Sequence, residues 1–213
     1  PVPDGDTGTN MFLTMQAALT ETAGLVEPTV GKVIQALEDN QLMDDTIIIL
    51  FGDHGYHHGD HRWWNKVTVF DRSHRAPFIV VAPDSEAPAG SVTNEIIEYV
   101  DIYPTLADMC KLEGVPEDLE GISFSPLLDD PCLPWKEAGY IQVRRSGIFG
   151  RAINTQRWRY VEWEDGLQGR ELYDHQTDPE EYINLAEEPE YADEILYLQD
   201  LLYTGHNRIR SVE

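Results

Sequence analysis

The chain has 213 residues, and 41% of them are hydrophobic, which is an ordinary fraction for a globular protein. Its 39 acidic residues against 15 basic ones give a net charge of −24, and such a surface repels nucleic acid and anionic lipid. No apolar run approaches the roughly 20 residues of a membrane-spanning helix, so no membrane span is predicted. The acidity is typical of a solvated surface in a salty or extracellular setting, with a cation-rich partner as the alternative.

The first 22 residues begin with a small polar loop, Asp4-Gly5-Asp6-Thr7-Gly8-Thr9-Asn10. Carboxylates on a glycine-permissive turn can converge on a hard cation, but such a loop is also typical of a turn that caps a helix. We therefore interpret residues 1–22 as an N-terminal segment of uncertain origin.

The next part of the chain alternates helical and strand patterns. A helix is predicted over residues 28–40, where apolar residues recur at spacings of three and four. Residues 46–51 and 76–82 are short continuous apolar runs, typical of strands buried on both faces of a parallel sheet. A helix over residues 102–112 follows, with Asp101 as its candidate N-cap. This order of helices and buried strands predicts an α/β fold.

The composition changes after about residue 130. Segments rich in Tyr, Trp and Arg between Gly139 and Trp163 predict antiparallel strands, and a helix is predicted over residues 190–202. We therefore expect a partial α/β core over residues 23–130 and a small α+β subdomain over residues 131–213.

The densest group of chemically useful side chains follows the first predicted strand. Four of the seven histidines lie within eight residues there, and Lys66 comes soon after them. Ligands of open α/β sheets bind beyond the carboxyl ends of strands, so Asp53 and His54 are well placed for a metal or a substrate. Asp53 offers oxygen, His54 a nitrogen ligand or a general acid, and Lys66 a cation for an anionic group. The pattern favours a functional site, with adventitious zinc binding and a polar surface loop as alternatives.

A succession of short motifs runs from this loop towards the end of the chain. In order they are DTIIILFGDHG (45–55), GDH (59–61), WNK (64–66), SHRAPFI (73–79), VDIYPTL (100–106), LEGISF (119–124), PWK (134–136), RY (159–160), ELYD (171–174), TDPE (177–180) and NLA (184–186).

The order of these motifs resembles the second half of the sulfatases of the alkaline-phosphatase superfamily. The resemblance is greatest to the branch of iduronate-2-sulfatase and choline-sulfatase-like enzymes. It implies the C-terminal part of an alkaline-phosphatase-like sandwich, of class α/β, followed by a small α+β subdomain.

The resemblance implies a hydrolase of sulfate monoesters that acts on a sulfated carbohydrate or another sulfated small molecule. Asp53 would be a ligand of a divalent cation, usually calcium, and His54 would lie beside it as a ligand or sulfate contact. Lys66 would bind the sulfate oxygens, which makes Lys66 and His54 the candidate catalytic residues. His61 and Arg75 match family positions and are expected to shape the loop or face the substrate. Because Ca²⁺ prefers oxygen ligands, Asp53 is the stronger candidate ligand.

The resemblance also implies formylglycine, matured from a cysteine within Cys-x-Pro/Ala-x-Arg, as the nucleophile. Cys110 is followed by Lys-Leu-Glu-Gly, and Cys132 has Lys136 where the motif has arginine, so neither is the expected nucleophile. We therefore expect the nucleophile and a pair of metal-binding aspartates in a missing N-terminal half, in a parent protein or a separate chain. A half-sheet made alone is expected to be poorly soluble or to associate. Family habit indicates a periplasmic or extracellular location.

Three other functions fit parts of the sequence. A phosphate or phosphonate monoester hydrolase of the same superfamily would differ at the nucleophile, and an inactive remnant would keep the fold without turnover. The first fifteen residues separately resemble a loop of the dihydroxyacetone-kinase L-subunit-like domain, in which aspartates hold magnesium on nucleotide phosphates. Asp4 and Asp6 alone could not form such a phosphotransferase site.

Overall fold

The computed structural model describes residues 30–204. The expectations for residues 1–22 lie outside the described residues. Within the described range, no helix is long and apolar enough to cross a membrane. This part of the chain divides into two compact units, one with residues 30–53 and 77–84, and the other with residues 54–76 and 85–204.

The first unit contains a helix and a two-stranded sheet. Helix α1 spans Val30–Asp39, which confirms the predicted helix for the residues that the structure describes. A 3-10 turn at Met43–Asp45 leads to strand β1, Ile48–Phe51, which pairs with strand β2, Phe78–Val81.

These two strands run antiparallel, with Leu50 opposite Ile79, so the expected parallel pairing is wrong for this pair. A continuous apolar run is typical of parallel strands but does not require them, and here the chain returns antiparallel. The strands are also less buried than expected, because Leu50, Ile79 and Val81 are 41%, 53% and 42% exposed. These three side chains share one face of the sheet, while Phe51 contacts Phe78 on the other with ring centroids 6.0 Å apart.

The second unit holds the other described elements. The predicted helices over residues 102–112 and 190–202 are confirmed as Ile102–Met109 and Ala192–Thr204, although a 3-10 turn precedes each of them. In chain order the unit contains the 3-10 turn Asp60–Arg62, α2 (Asp71–His74), the 3-10 turn Tyr99–Asp101, α3 (Ile102–Met109), α4 (Ser125–Asp129), β3 (Gly139–Arg145), β4 (Ile148–Asn154), β5 (Trp158–Trp163), β6 (Arg170–Asp174), the 3-10 turn Pro189–Tyr191 and α5 (Ala192–Thr204).

Strands β3 to β6 form an antiparallel sheet in sequential order, which confirms the antiparallel strands expected after residue 139. Sequence analysis does not predict β6, whose five residues include three charged ones. Helix α5 buries Leu198, Leu201 and Leu202 in one core with Tyr160 and Leu172 of the sheet. The fold is thus the mixed α and β arrangement that the resemblance implies, while the boundary near residue 130 stays a prediction.

Asp101 belongs to a buried charge network. Its Oδ2 accepts the N–H of Glu98 at 2.9 Å, and its Oδ1 accepts the N–H of Ile122 at 2.9 Å. The Lys136 ammonium donates to Asp101 Oδ1 at 2.6 Å and to Glu98 Oε2 at 2.9 Å. Asp101 stands at the N-cap position of α3, but its side chain makes no capping bond to that helix, since the preceding turn occupies it. The motifs VDIYPTL, LEGISF and PWK are thus joined by hydrogen bonds and an ion pair, and their shared role is structural.

Candidate active site

Asp53 lies just beyond strand β1, at the end of the first of the two segments that form the first unit. Gly52 separates Asp53 from β1. The Gly52 N–H donates to Pro77 O at 3.2 Å, which extends the hydrogen bonding between the two strands by one residue beyond Phe51 and Phe78. The Asp53 side chain is exposed. A carboxylate therefore lies at the carboxyl end of strand β1 and is exposed to solvent.

His54 and Gly55 begin the second unit. His54 is exposed, and its ring meets the His74 ring edge to face with centroids 6.4 Å apart. The Gly55 N–H donates to Ser73 O at 3.1 Å. An added Cβ at Gly55 would lie 1.9 Å from Arg72 O, so only glycine fits where the loop contacts α2.

His57 and His74 both hydrogen-bond to Thr68 through their rings. His57 is fully buried, and its Nε2 lies 2.9 Å from Thr68 Oγ1, which lies 2.6 Å from Ser73 Oγ. Burial lowers the pKa of His57. His74 Nε2 donates to Thr68 O, and burial lowers the pKa of His74 to about 4. Both rings are therefore neutral at neutral pH and act as structural hydrogen-bonding groups.

Lys66 lies in a strained part of the same loop. Its side chain is half-buried, and the carbonyl of the preceding Asn65 accepts the N–H of His57 at 3.0 Å. The following Val67 has a φ of +72°, a conformation that β-branched residues rarely adopt. Such strain persists only where surrounding contacts determine the backbone, and it is often found at functional sites.

His61 is packed into the protein. Its ring stacks on Phe70 with centroids 3.9 Å apart, and its Nε2 donates to Glu180 O at 2.9 Å. Tyr182 lies close on the same ring, with centroids 4.7 Å apart. These contacts hold the His61 ring between Phe70, Tyr182 and the Glu180 carbonyl. An open depression of about 530 Å³ is lined by Gly59, His61, Arg62, Trp63, Phe70 and Tyr182.

Arg75 lies at the surface, where its side chain is 83% exposed and its Nη1 lies 4.0 Å from Asp71 Oδ2. Cys110 and Cys132 are exposed and unpaired thiols. Among residues 30–204, no group of three or more His, Cys, Asp or Glu side chains is arranged to hold a metal. The described residues thus bring His54 near His74 and Lys66 near the buried His57.

The polar groups that surround this loop are not predicted from the sequence. Thr68 hydrogen-bonds to the buried ring of His57 and to Ser73, and Arg159 donates to Val69 O at 2.6 Å. The motif that contains Arg159 is the one signal that could have found this arginine.

Residues 59–207 match the family N-sulphoglucosamine sulphohydrolase, C-terminal. The chain belongs to this sulfatase family. It is 30% identical over 183 residues to an arylsulfatase of Clostridium perfringens, with 83% of this chain and 37% of the relative covered. It is also 30% identical over 185 residues to an N-acetylglucosamine-6-O-sulfatase of Bacteroides thetaiotaomicron, with 83% of this chain and 33% of the relative covered. The sulfatase chain thus spans about a third of the length of these curated relatives.

Two solved structures support the same assignment. The structure of BT4656 in complex with its substrate D-glucosamine-2-N,6-O-disulfate has a TM-score of 0.75 and 29% identity, covering 81% of this chain and 36% of that one. The phosphonate monoester hydrolase of Agrobacterium radiobacter has a TM-score of 0.68 and 28% identity, covering 85% of this chain and 39% of that one. The fold of this sulfatase chain is therefore shared by sulfatases and by hydrolases of a related ester.

Proposed function

We propose that this chain is the C-terminal part of a hydrolase of sulfate monoesters. The observation that carries the proposal is the loop from Asp53 to Lys66, which follows a strand end in a chain of the sulfatase family. The loop presents an exposed carboxylate and an exposed imidazole, and a lysine follows in a strained turn. A sulfate ester needs its oxygens clamped by cations while the S–O bond breaks, and the lysine suits that task.

We assign Lys66 to the sulfate oxygens and His54 to a neighbouring contact with the sulfate or the metal. His61 and Arg75 are assigned to loop shape and to the substrate-facing surface. The Lys66 ammonium would offset the negative charge that develops as the leaving group departs. The half-buried position of Lys66 strengthens this effect, because charges interact more strongly where water is partly excluded.

The residues present fit part of a calcium site. Asp53 offers a solvent-exposed carboxylate oxygen, which is the ligand type that Ca²⁺ prefers, whereas the His54 nitrogen suits it less well. Calcium takes six to eight oxygen ligands, so the remaining ligands would come from outside this loop. A divalent cation bound there would neutralise charge on the sulfate oxygens. Formylglycine remains the expected nucleophile, in a part of the protein other than the Cys110 and Cys132 segments.

A sulfated sugar is the substrate class that we propose. A curated relative is an N-acetylglucosamine-6-O-sulfatase, and the substrate in the BT4656 complex is a disulfated glucosamine. Hydrolysis of a 6-O-sulfated glucosamine by the intact protein tests this assignment, beside 4-nitrophenyl sulfate as a simple aryl ester.

The decisive variant is Lys66→Ala in the intact protein that contains this chain. We expect it to lower kcat/KM for sulfate esters by about 100-fold or more, since the loss of one such charge-stabilising group has that effect. Lys111→Ala, at an exposed position, is the matched control and should keep wild-type activity. A matured protein that hydrolyses neither sulfate ester would contradict the proposal and favour the inactive remnant.

A phosphonate or phosphate monoester hydrolase is the second candidate, because a phosphonate monoester hydrolase shares this fold at 28% identity. Parallel assays with phenylphosphonate and phosphate monoesters separate the two. A higher kcat/KM for the phosphonate ester than for the sulfate ester would favour this alternative.

Calorimetric titration of this chain with calcium tests the metal assignment without any activity. Binding that disappears in Asp53→Ala would mean that the partial site is preformed. Equal binding by wild type and Asp53→Ala would contradict the assignment of Asp53. An absence of binding would mean that calcium needs ligands beyond this loop.

A further inference from the structure

A buried arginine links the four-stranded sheet to the candidate loop. Arg159 lies in β5, and its side chain is 1% exposed. Its Nη1 donates to Val69 O at 2.6 Å, and its Nη2 donates to Asp71 Oδ1 at 3.0 Å. Its Nε lies 2.6 Å from Glu181 Oε1. A guanidinium buried this deeply needs partners, and these partners come from two separate segments, one at the start of α2 and one around Glu181.

Glu181 is the other half of this pair and is 2% exposed. Its Oε2 accepts the Asp71 N–H at 2.8 Å, and its Oε1 lies 2.8 Å from His175 Nε2. Burial alone would raise the pKa of Glu181, but the hydrogen bond from His175, the Arg159 charge and the Asp71 amide together hold it below its ordinary value. The pair therefore holds Asp71 through both its side chain and its backbone.

Asp71 is the first residue of α2, and α2 contacts the candidate loop through its backbone. Ser73 O accepts the Gly55 N–H at 3.1 Å. The space between Gly55 and Arg72 O is too small for a Cβ, so these backbones lie in direct contact. A displacement of α2 would therefore move the residue that follows His54.

Two other contacts join the same segments. His74 at the end of α2 meets the His54 ring edge to face. Arg72 donates to both carboxylate oxygens of Glu180, at 3.0 and 2.8 Å, and the Glu180 carbonyl accepts the His61 Nε2–H. The segment with Glu180 and Glu181 therefore hydrogen-bonds both to α2 and to the turn that contains His61.

We propose that the Arg159–Glu181 pair is a positioning device that fixes the loop of His54 and Lys66 against the C-terminal sheet. The inference rests on the proposed function, because it assigns the pair to the geometry of that same site. The pair contacts Val69 O and Asp71, the first residue of α2, so it acts on the reaction through α2 and the loop that α2 contacts. A misplacement of about 1 Å can lower a rate about 100-fold, which is the sensitivity that such a device would control.

Hydrogen–deuterium exchange of this chain tests the positioning whatever its activity. Arg159→Lys keeps the charge but loses the planar fork, and Glu181→Gln keeps the shape but loses the charge. We expect exchange over residues 54–76 to rise roughly tenfold in both variants while residues 139–163 keep wild-type exchange. Arg157→Lys is the matched control, since Arg157 donates two hydrogen bonds to Asp174, at 3.0 and 2.8 Å. It should leave the loop unchanged.

Unchanged exchange over residues 54–76 in both variants would overturn the proposal. An equal rise in the loop and the sheet in both variants would also overturn it, because the pair would then be a general stabiliser. If only Arg159→Lys loosens the sheet, the isosteric Glu181→Gln decides: a rise confined to the loop supports the proposal, and no rise overturns it.

Kinetics of the intact protein separate positioning from substrate binding. We expect both variants to lower kcat about 10- to 100-fold with KM changed less than about twofold. A raised KM with unchanged kcat would overturn the proposal. A wild-type protein without sulfatase activity would instead contradict the proposed function, and the exchange result would stand independently.

Discussion

Gly55 lies in close backbone contact with helix α2. An added Cβ would lie 1.9 Å from Arg72 O and 3.1 Å from Arg75 O, and backbone atoms cannot move aside as a flexible side chain would. We expect Gly55→Ala to lower the free energy of unfolding by about 1–3 kcal/mol, as overpacking does. Urea denaturation followed by fluorescence measures this change.

Gly31 provides the matched control for that substitution. It lies in α1 with open space around its Cβ position, so Gly31→Ala should leave stability unchanged or raise it by up to about 1 kcal/mol. If the two variants had equal stability, the close approach at Gly55 would be contradicted.

At the level of single residues, the sequence predicts which side chains carry chemistry but not which of them are buried. Asp53, His54 and Lys66 can be selected because a histidine-rich loop follows an apolar run. The same reasoning cannot separate exposed His54 from buried His57, because the burial of His57 depends on Thr68, which lies eleven positions later.

The attachment of helix α5 to the sheet is the clearest case at the level of elements. Glu162 of β5 accepts hydrogen bonds from Gln199 at 2.7 Å and Tyr203 at 2.5 Å, both on α5, and from Tyr160 at 2.8 Å. Burial alone would raise the pKa of Glu162, but these three donors hold it below its ordinary value of 4.5. The ionised carboxylate therefore fastens α5 to β5.

This depressed pKa predicts how stability depends on pH. A carboxyl group whose pKa is lower in the folded state contributes fully above its unfolded pKa, here 4.5, and the contribution is lost as pH falls further through the folded value. We expect Glu162→Gln to show a weaker loss of stability below pH 4.5 than wild type. Tyr203→Phe removes one donor and should weaken the dependence partly. Thermal unfolding between pH 3 and 7 measures both, and an unchanged slope in Glu162→Gln would contradict the assignment.

The elements themselves were predictable to different degrees. Apolar periodicity predicts helix α5, the candidate N-cap Asp101 predicts helix α3, and short aromatic segments predict the antiparallel sheet. The direction of β1 and β2 was predicted wrongly, since an apolar run is only typical of parallel strands and the pairing depends on how the chain returns. The hydrogen bonds of the Asp101 carboxylate could not be predicted either, because its partners Ile122 and Lys136 lie 21 and 35 positions away in the sequence.

For the molecule as a whole, the sheet of β1 and β2 has consequences beyond its own unit. Leu50, Ile79 and Val81 expose apolar side chains on one face, and chains with exposed apolar faces and unpaired strand edges tend to associate. The matched part of this chain covers 37% and 33% of two relatives, so we expect such a face to be covered in a protein of their length. If the chain associates when it is made alone, this face is the surface through which we expect it to do so.

We expect the isolated chain to self-associate through this face, with a mass in sedimentation velocity that rises above 24.2 kDa as concentration increases. Ile79→Lys should shift the chain towards the monomer, because a charge at the centre of the face must be desolvated on association. Val92→Lys is the control, since Val92 is 81% exposed but lies in a loop of the other unit. A wild-type chain that stays monomeric at all concentrations would refute the role of this face, and an equal effect of the two lysines would assign the association to net charge instead.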